Sequence, residues 1–290
     1  MAEPNHGVTP SRGGSAELTT TQNDMPSAPL RSIHRAPRFA TFRAIGALVL
    51  HEMTTRYGST ALGYFQAFLE PVLTILALVA IFSVGFRDPP LGTDFSIFYA
   101  SGFLPFSLSM GLSRIVSSAI RYHGKLLDYG RVTYFDALAA RSILFLVTQL
   151  AVHVIIFAII LALFETRTTL DFEPIALGYT MAVAFGLGVG SLNAVLVMRL
   201  PIWGLVWGTV TRPLMLISGV IFLHDEIPDP YATWLEWNPL VHVVGAVRKG
   251  FYYGYDAVYL DPLYVLLISG VTLIAGLFFI RRFHRDFMER

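Results

Sequence analysis

The chain has 290 residues, 54% of them hydrophobic and only 14% charged, whereas about a quarter of residues are charged in soluble domains. This composition defines an integral membrane protein with no room for a sizeable soluble domain, so any large aqueous machinery must lie on another chain. The net charge of +1 argues nothing, and the absence of cysteine excludes disulfides, thiolate metal sites and a cysteine nucleophile.

Residues Met1 to about Leu30 are rich in Ser, Thr, Pro, Gly and Asn, with almost no large apolar side chains. They cannot bury enough surface to offset chain entropy, and residues 1–37 are expected to form a disordered cytoplasmic arm. The arm lacks the apolar h-region of a signal peptide, so no cleavage is expected. From Arg38 to Thr55 the apolar residues Phe39, Phe42, Ile45, Val49 and Met53 recur at helical spacing. Arg38, Thr41, Arg43, Glu52 and Thr55 fall elsewhere on the wheel, the pattern of a helix lying in the membrane interface.

Six apolar stretches approach the roughly 20 residues that a spanning helix needs. They run at about Phe68 to Phe86, Ile97 to Ala119, Ser142 to Phe164, Ile175 to Met198, Trp203 to Phe222 and Pro262 to Ile280. Basic residues orient them. Arg31, Arg35, Arg38, Arg43 and Arg56 precede the first span. Arg121, Lys125, Arg131 and Arg141 surround the segment between the second and third, and Arg199 separates the fourth and fifth. Arg281, Arg282, Arg285 and Arg290 close the chain, whereas the turns Arg87 to Phe95 and Glu165 to Glu173 carry one arginine each beside acidic residues. The positive-inside bias places both termini in the cytoplasm.

Between the last two stretches, Ser218 to Asp261 is too apolar for a loop and too interrupted for a span. One short piece lies around Trp234, a second runs from Pro239 to Val247, and Asn238-Pro239, Arg248-Lys249 and a tyrosine cluster break them. A seventh crossing here would carry the Arg281 to Arg290 cluster to the outer side, against the charge bias. The segment is therefore expected to enter from the outer face and return to it. Such backbone is tolerated at membrane depth only where protein or a water-filled cavity surrounds it.

Catalytic motifs are incomplete. His51-Glu52 opens like a zinc-binding helix motif, but Thr55 occupies the position of the second histidine. Ser191 has no glycine-framed elbow to make it a nucleophile with His153 as base, and reads as a small residue on the packing face of Gly186 and Gly190. Gly124-Lys125-Leu126 lacks both the upstream glycine and the following Ser or Thr of a phosphate-binding loop. No catalytic residue and no metal site is expected.

Ionisable groups within the spans are few, and such groups usually face an interior or a cavity. Glu70, just before Pro71, reads either as a helix-start cap or as a functional carboxylate. Arg114 lies near the cytoplasmic end of its span, where its side chain can snorkel. Arg212, roughly mid-span, has a buried partner such as Glu70 or contacts an anion along a path. The connector Tyr122 to Asp136 mixes charge with Leu126, Leu127, Tyr134 and Phe135, a composition suited to docking in a groove of a soluble partner. The rings of Trp234, Trp237, Tyr252, Tyr253, Tyr255 and Tyr259 fit an interfacial belt and could also offer flat faces to passing sugars.

The amphipathic start, the run Arg56-Tyr57 to Gly63-Tyr64 to Glu70-Pro71, and the connector ending Arg131-Val132-Thr133-Tyr134-Phe135-Asp136 together resemble ABC-2 type permeases. So do Ser218-Gly219-Val220-Ile221-Phe222, Trp237-Asn238-Pro239-Leu240-Val241-His242 and Arg248-Lys249-Gly250-Phe251. The likeness covers about Arg38 to Arg290, making residues 38–290 one transmembrane domain. It is most similar to the membrane subunit of bacterial capsular polysaccharide exporters, and closely similar to O-antigen and teichoic acid export permeases. A more distant relation is to ABC-2 exporters of drugs or lipids.

The resemblance implies an all-α inner-membrane protein of six transmembrane helices, with an N-terminal amphipathic interface helix and outer re-entrant helices between spans five and six. It implies two copies of the chain with two ABC ATPase subunits, which hold the ATP and magnesium, since this chain carries no cofactor. Arg43, Glu52, Lys125, Leu126, Leu127 and Phe135 would contact the ATPase. Glu70, Arg212, Trp237, His242, Arg248, Tyr252 and Tyr253 are the channel or substrate candidates. The substrate would be a lipid-linked polysaccharide, passed to a periplasmic co-polymerase and an outer-membrane export protein, with no nucleic-acid partner.

Overall fold

The structure is a computed structural model that describes residues 45–50, 53, 61–122 and 134–288. The arm at 1–37, most of the expected interfacial helix and most of the connector Tyr122 to Asp136 lie outside the described residues. Within the expected interfacial helix, residues 45–50 and 53 are helical. Elsewhere, the regular structure among the described residues is helical throughout.

Five helices are long and apolar enough to cross a membrane: α1 (Ala61–Gly85), α2 (Phe95–Tyr122), α3 (Tyr134–Leu163), α4 (Phe172–Arg199) and, last in the chain, α8 (Pro262–Met288). Several of them begin or end outside the apolar windows read from sequence. Hydropathy marks only the lipid-immersed part of a helix, whereas backbone hydrogen bonding carries the helix into the polar zone. The fifth apolar stretch behaves differently. α5 spans Trp203–Leu216 and has 14 residues, about 21 Å at the helical rise, where Trp203 to Phe222 was expected to form one span. Ser218 and Gly219 stop it, and Gly219 adopts φ +74°, a left-handed conformation that costs glycine little.

α2 is the central helix. Its apolar window is 83% buried, against 17% for α1 and 22% for α8. Lipid tails are as apolar as leucine, so close packing rather than hydrophobicity holds such helices together. α4 supplies that closeness on two faces. Gly186 and Gly190 lie against Ser109, Leu112, Ser113 and Val116 of α2. On another face Gly188 meets Ser269 and Thr272 of α8, and Gly276 of α8 meets Ser191. A Cβ at Gly186 would sit 2.8 Å from the Ser109 carbonyl oxygen, closer than packed atoms allow.

Beyond α5 the chain runs through turns and bends at 217–222, a 3-10 turn at His224–Glu226, the short helix α6 (Tyr231–Leu235) and α7 (Pro239–Phe251). α7 is buried at every position from Leu240 to Arg248 and wedges between the N-terminal halves of α2 and α4. The turns after α1 and α3 join it at the same end of the bundle. Thr93 Oγ1 donates to the Glu165 and Thr166 carbonyls at 3.4 and 3.5 Å, and the Asp171 amide donates to the Gly250 carbonyl at 2.8 Å.

Candidate functional site

The wedge helix is anchored at both ends. At its start Asn238 accepts from the Leu240 amide, satisfying one of the orphan donors of the first turn. Its own amide nitrogen donates to the Ile217 carbonyl at 3.1 Å and to Ser218 Oγ at 3.0 Å. One side chain thus caps α7 and ties it to the broken end of α5. His242 accepts from the Asp261 amide at Nδ1, so the proton resides on Nε2, which donates to the Glu236 carbonyl at 2.8 Å. The imidazole joins the segments before and after α7.

Arg248 closes the other end. Its guanidinium donates to the Phe222 carbonyl at 2.9 Å and the Val220 carbonyl at 3.0 Å and lies 4.0 Å above the Phe98 ring. The side chain is 2% exposed, and no carboxylate pairs with it among the described residues. Carbonyl dipoles and the negative ring face carry the charge instead. Burial pushes Arg248 down from its ordinary value. Gly102 makes this approach possible, because a Cβ there would lie 3.1 Å from Arg248 Nη2 and 3.1 Å from the Val220 carbonyl oxygen. Burial also pushes the Tyr252 and Tyr259 hydroxyls upward, so these rings beside Arg248 stay neutral.

Outside this anchor an exposed apolar and aromatic rim contains Tyr231, Trp234, Trp237, Tyr253 and Val258. Tyr231 and Trp234 pack edge to face at 5.7 Å, and Tyr264 donates to the Trp237 carbonyl, fixing the backbone beneath that indole.

Two clefts open along α2. One, about 360 Å³, lies among α1, α2 and α3 and includes Gln66, Glu70, Ser107, Arg114 and Gln149. The second, about 800 Å³, lies among α2, α4 and α5 and includes Arg114, Ser117, Trp207 and Arg212. Phe106, Met110, Arg114 and Thr211 line both, so the two spaces flank one face of α2. Polar groups of this kind at membrane depth mark paths or subunit contacts rather than lipid-facing surface. Pro71 lacks an N–H to return to the Ala67 carbonyl, and both residues line the first cleft. α5 borders the second cleft without burying any residue. Trp203 holds its start, donating to Asn193 Oδ1 at 2.9 Å, while Asn193 in turn donates to Ser113.

The structure separates the candidates read from sequence into groups. Glu70 and Arg212 lie in the two clefts. Trp237 and Tyr253 are on the exposed rim, and His242, Arg248 and Tyr252 are buried in the anchor. Arg43, Glu52, Lys125, Leu126 and Leu127 lie outside the described residues, and Phe135 is in the first turn of α3. Arg114, read from sequence as a snorkelling residue, borders both clefts. Its position shows only when residues are counted from helix ends that hydropathy does not locate. The hydrolase pairing does not assemble. Ser191 Oγ donates to the Gly188 carbonyl within its own helix, and His153 pairs with the Tyr179 hydroxyl at 3.1 Å.

Long helices joined through small residues, a buried half-length helix wedged at one end and ionisable clefts along the central helix define a polytopic membrane protein of the transporter class. Residues 43–252 match the ABC-2 type transporter family, and the chain belongs to it. Among curated proteins it is 30% identical over 233 residues to the polysialic acid transport protein KpsM of Escherichia coli, covering 80% of this chain and 90% of that protein. It is 26% identical over 244 residues to the capsule polysaccharide export inner-membrane protein CtrC of Neisseria meningitidis serogroup B, covering 84% and 92%. Identity to the similarly named BexB of Haemophilus influenzae is 23% over 244 residues, with the same coverage.

Proposed function

We propose that this chain is the membrane permease of an ATP-driven exporter that moves lipid-linked capsular polysaccharide across the bacterial inner membrane. The observation that carries the reading is similarity extending over nine-tenths of proteins named for polysialic acid transport and capsule polysaccharide export. The clefts and wedge give that similarity a physical counterpart. α5 acts as the fifth of six crossings, both termini face the cytoplasm, and α6 and α7 re-enter from the outer face. Two copies enclose the path and two ATPase subunits dock beneath them, contacting Arg43, Glu52, Lys125, Leu126, Leu127 and Phe135. Glu70 and Arg212 lie along the path. Trp237 and Tyr253 meet the emerging polymer, and His242, Arg248 and Tyr252 position the wedge that carries the rim. A periplasmic co-polymerase and an outer-membrane export protein receive the polymer.

The test is deletion of this chain in its native host, with surface and intracellular glycan measured separately. The expected result is loss of surface polysaccharide together with accumulation of lipid-linked polymer inside the cell. Surface glycan at the parental level would overturn the reading.

A further inference from the structure

The pairing of α4 with α8 continues past their small residues. The two helices run side by side in the same direction: Gly188 meets Ser269 and Thr272, Ser191 meets Gly276, and Ala194 and Val195 carry the contact on against Leu277 and Ile280. One turn further, the Arg199 guanidinium of α4 lies 4.0 Å over the ring of Phe283 of α8, and that of Arg282 lies 5.9 Å from the centre of the same ring. Phe279 stacks on Phe283 from the preceding turn at 6.1 Å. One ring therefore gathers two cations from different helices. Both arginines are exposed, and Arg282 makes no ion pair among the described residues. Beside them Leu200, Ile202, Phe278 and Phe279 are exposed as well.

The carbonyl end of α4 carries about half a negative charge, which accounts for a cation at Arg199. It does not account for a second cation at the same ring, which mutual repulsion opposes unless an anion sits with them. The chain's own carboxylates do not balance this end, since residues 281–290 hold four arginines against Asp286 and Glu289. We infer that the paired ends of α4 and α8 bind the phosphate of an anionic glycerophospholipid, with its acyl chains against the exposed apolar side chains. Guanidinium forks match the two free oxygens of a phosphodiester, and the apolar side chains receive what a soluble anion lacks. Basic sites between helix ends suit anionic head groups for the same reason. The lipid belongs to the surrounding leaflet and is not cargo: α8 is peripheral, its apolar window 22% buried, and neither arginine nor Phe283 lines a cleft. The site does not rest on the export reading.

The test is lipid binding by the full-length protein in detergent micelles. Dioleoyl phosphatidylglycerol or dioleoyl phosphatidylethanolamine is titrated in, and bound lipid is counted by native mass spectrometry. Phosphatidylglycerol should bind the more tightly. Arg199→Gln and Arg282→Gln should each weaken it about fivefold and leave phosphatidylethanolamine unchanged, whereas Arg282→Lys, which keeps the charge, should retain most of the affinity. Arg87→Gln, in the exposed turn after α1 at the other end of the bundle, should change nothing. Equal affinity for the two lipids, indifference to both arginine changes, a parallel loss for both lipids, or an equal loss in Arg87→Gln would overturn the site. Inorganic phosphate at matched ionic strength should not displace the lipid; displacement would assign the cations to a soluble anion and overturn the site as well. No transport is measured, so failure here leaves the export reading standing, and unchanged surface glycan on deletion of the chain leaves the lipid site standing.

Discussion

Arg248 is a buried cation whose partners are carbonyls and a ring rather than a carboxylate. Its removal sets two effects against each other. Arg248→Met relieves the desolvation of a charge but leaves the Val220 and Phe222 carbonyls without donors, and each buried orphan costs about 1–3 kcal/mol. The lost contact with Phe98 adds to that cost. We expect a net destabilisation of about 2–4 kcal/mol, measured as a lower midpoint of thermal unfolding in lipid nanodiscs. Arg248→Lys should fall between, since one ammonium cannot reproduce the planar fork. A midpoint at or above that of the parent in Arg248→Met would show that desolvation dominates. In the sequence Arg248 reads as a residue that closes a short apolar piece and, by resemblance, as a channel candidate. The sequence could not reveal a structural anchor, because the two acceptor carbonyls lie 26 and 28 residues away on a segment with no regular pattern.

Among elements, α7 depends on Gly178 much as α4 depends on Gly186 and Gly190. A Cβ at Gly178 would lie 2.6 Å from Val247 Cγ2 and 3.1 Å from the Val243 carbonyl oxygen, so Gly178→Leu must push the wedge away from α4. The protein should still insert, since α4 keeps its apolar length. Surface glycan should be lost, and limited proteolysis should cut between Ser218 and Asp261 in the variant but not the parent. Ser191→Ala is the contrasting case: among the described residues its hydroxyl bonds only within α4, so export should be unchanged and stability should shift by less than about 1 kcal/mol. Abolished export in a fully inserted Ser191→Ala protein would revive the nucleophile reading. The five long spans were legible because uninterrupted apolar length is a strong signal. The break in the fifth stretch was not, because Ile217, Val220, Ile221 and Phe222 are as apolar as the helix before them and only Ser218-Gly219 marks the stop.

For the whole molecule, the sequence located the clefts in part. Glu70 and Arg212 stand out as charges in apolar runs, whereas the shared α2 face of Phe106, Met110 and Arg114 depends on helix pairing that no local pattern encodes. Coupling to an ATPase belongs at this scale too. Replacing Leu126, Leu127 and Phe135 together by alanine should leave the chain in the membrane and abolish surface polysaccharide; a normal level in that variant would reject these residues as the docking element.

The length of α5 carries one more consequence. A 14-residue helix reaches about 21 Å, while the hydrocarbon layer is about 30 Å thick. With α5 as the fifth crossing proposed above, the shortfall would be hydrophobic mismatch, met by thinning the surrounding bilayer or covering the helix end with protein. The segment from Ser218 to Asn238 follows directly on that end of the helix, and thinning is the expected answer to whatever length it leaves uncovered. A thinned annulus would shorten the distance a lipid-anchored head group travels. Reconstituted in phosphatidylcholines of increasing acyl length, the transporter should lose rate as the bilayer thickens, and equal rates across the series would show that the protein alone closes the gap.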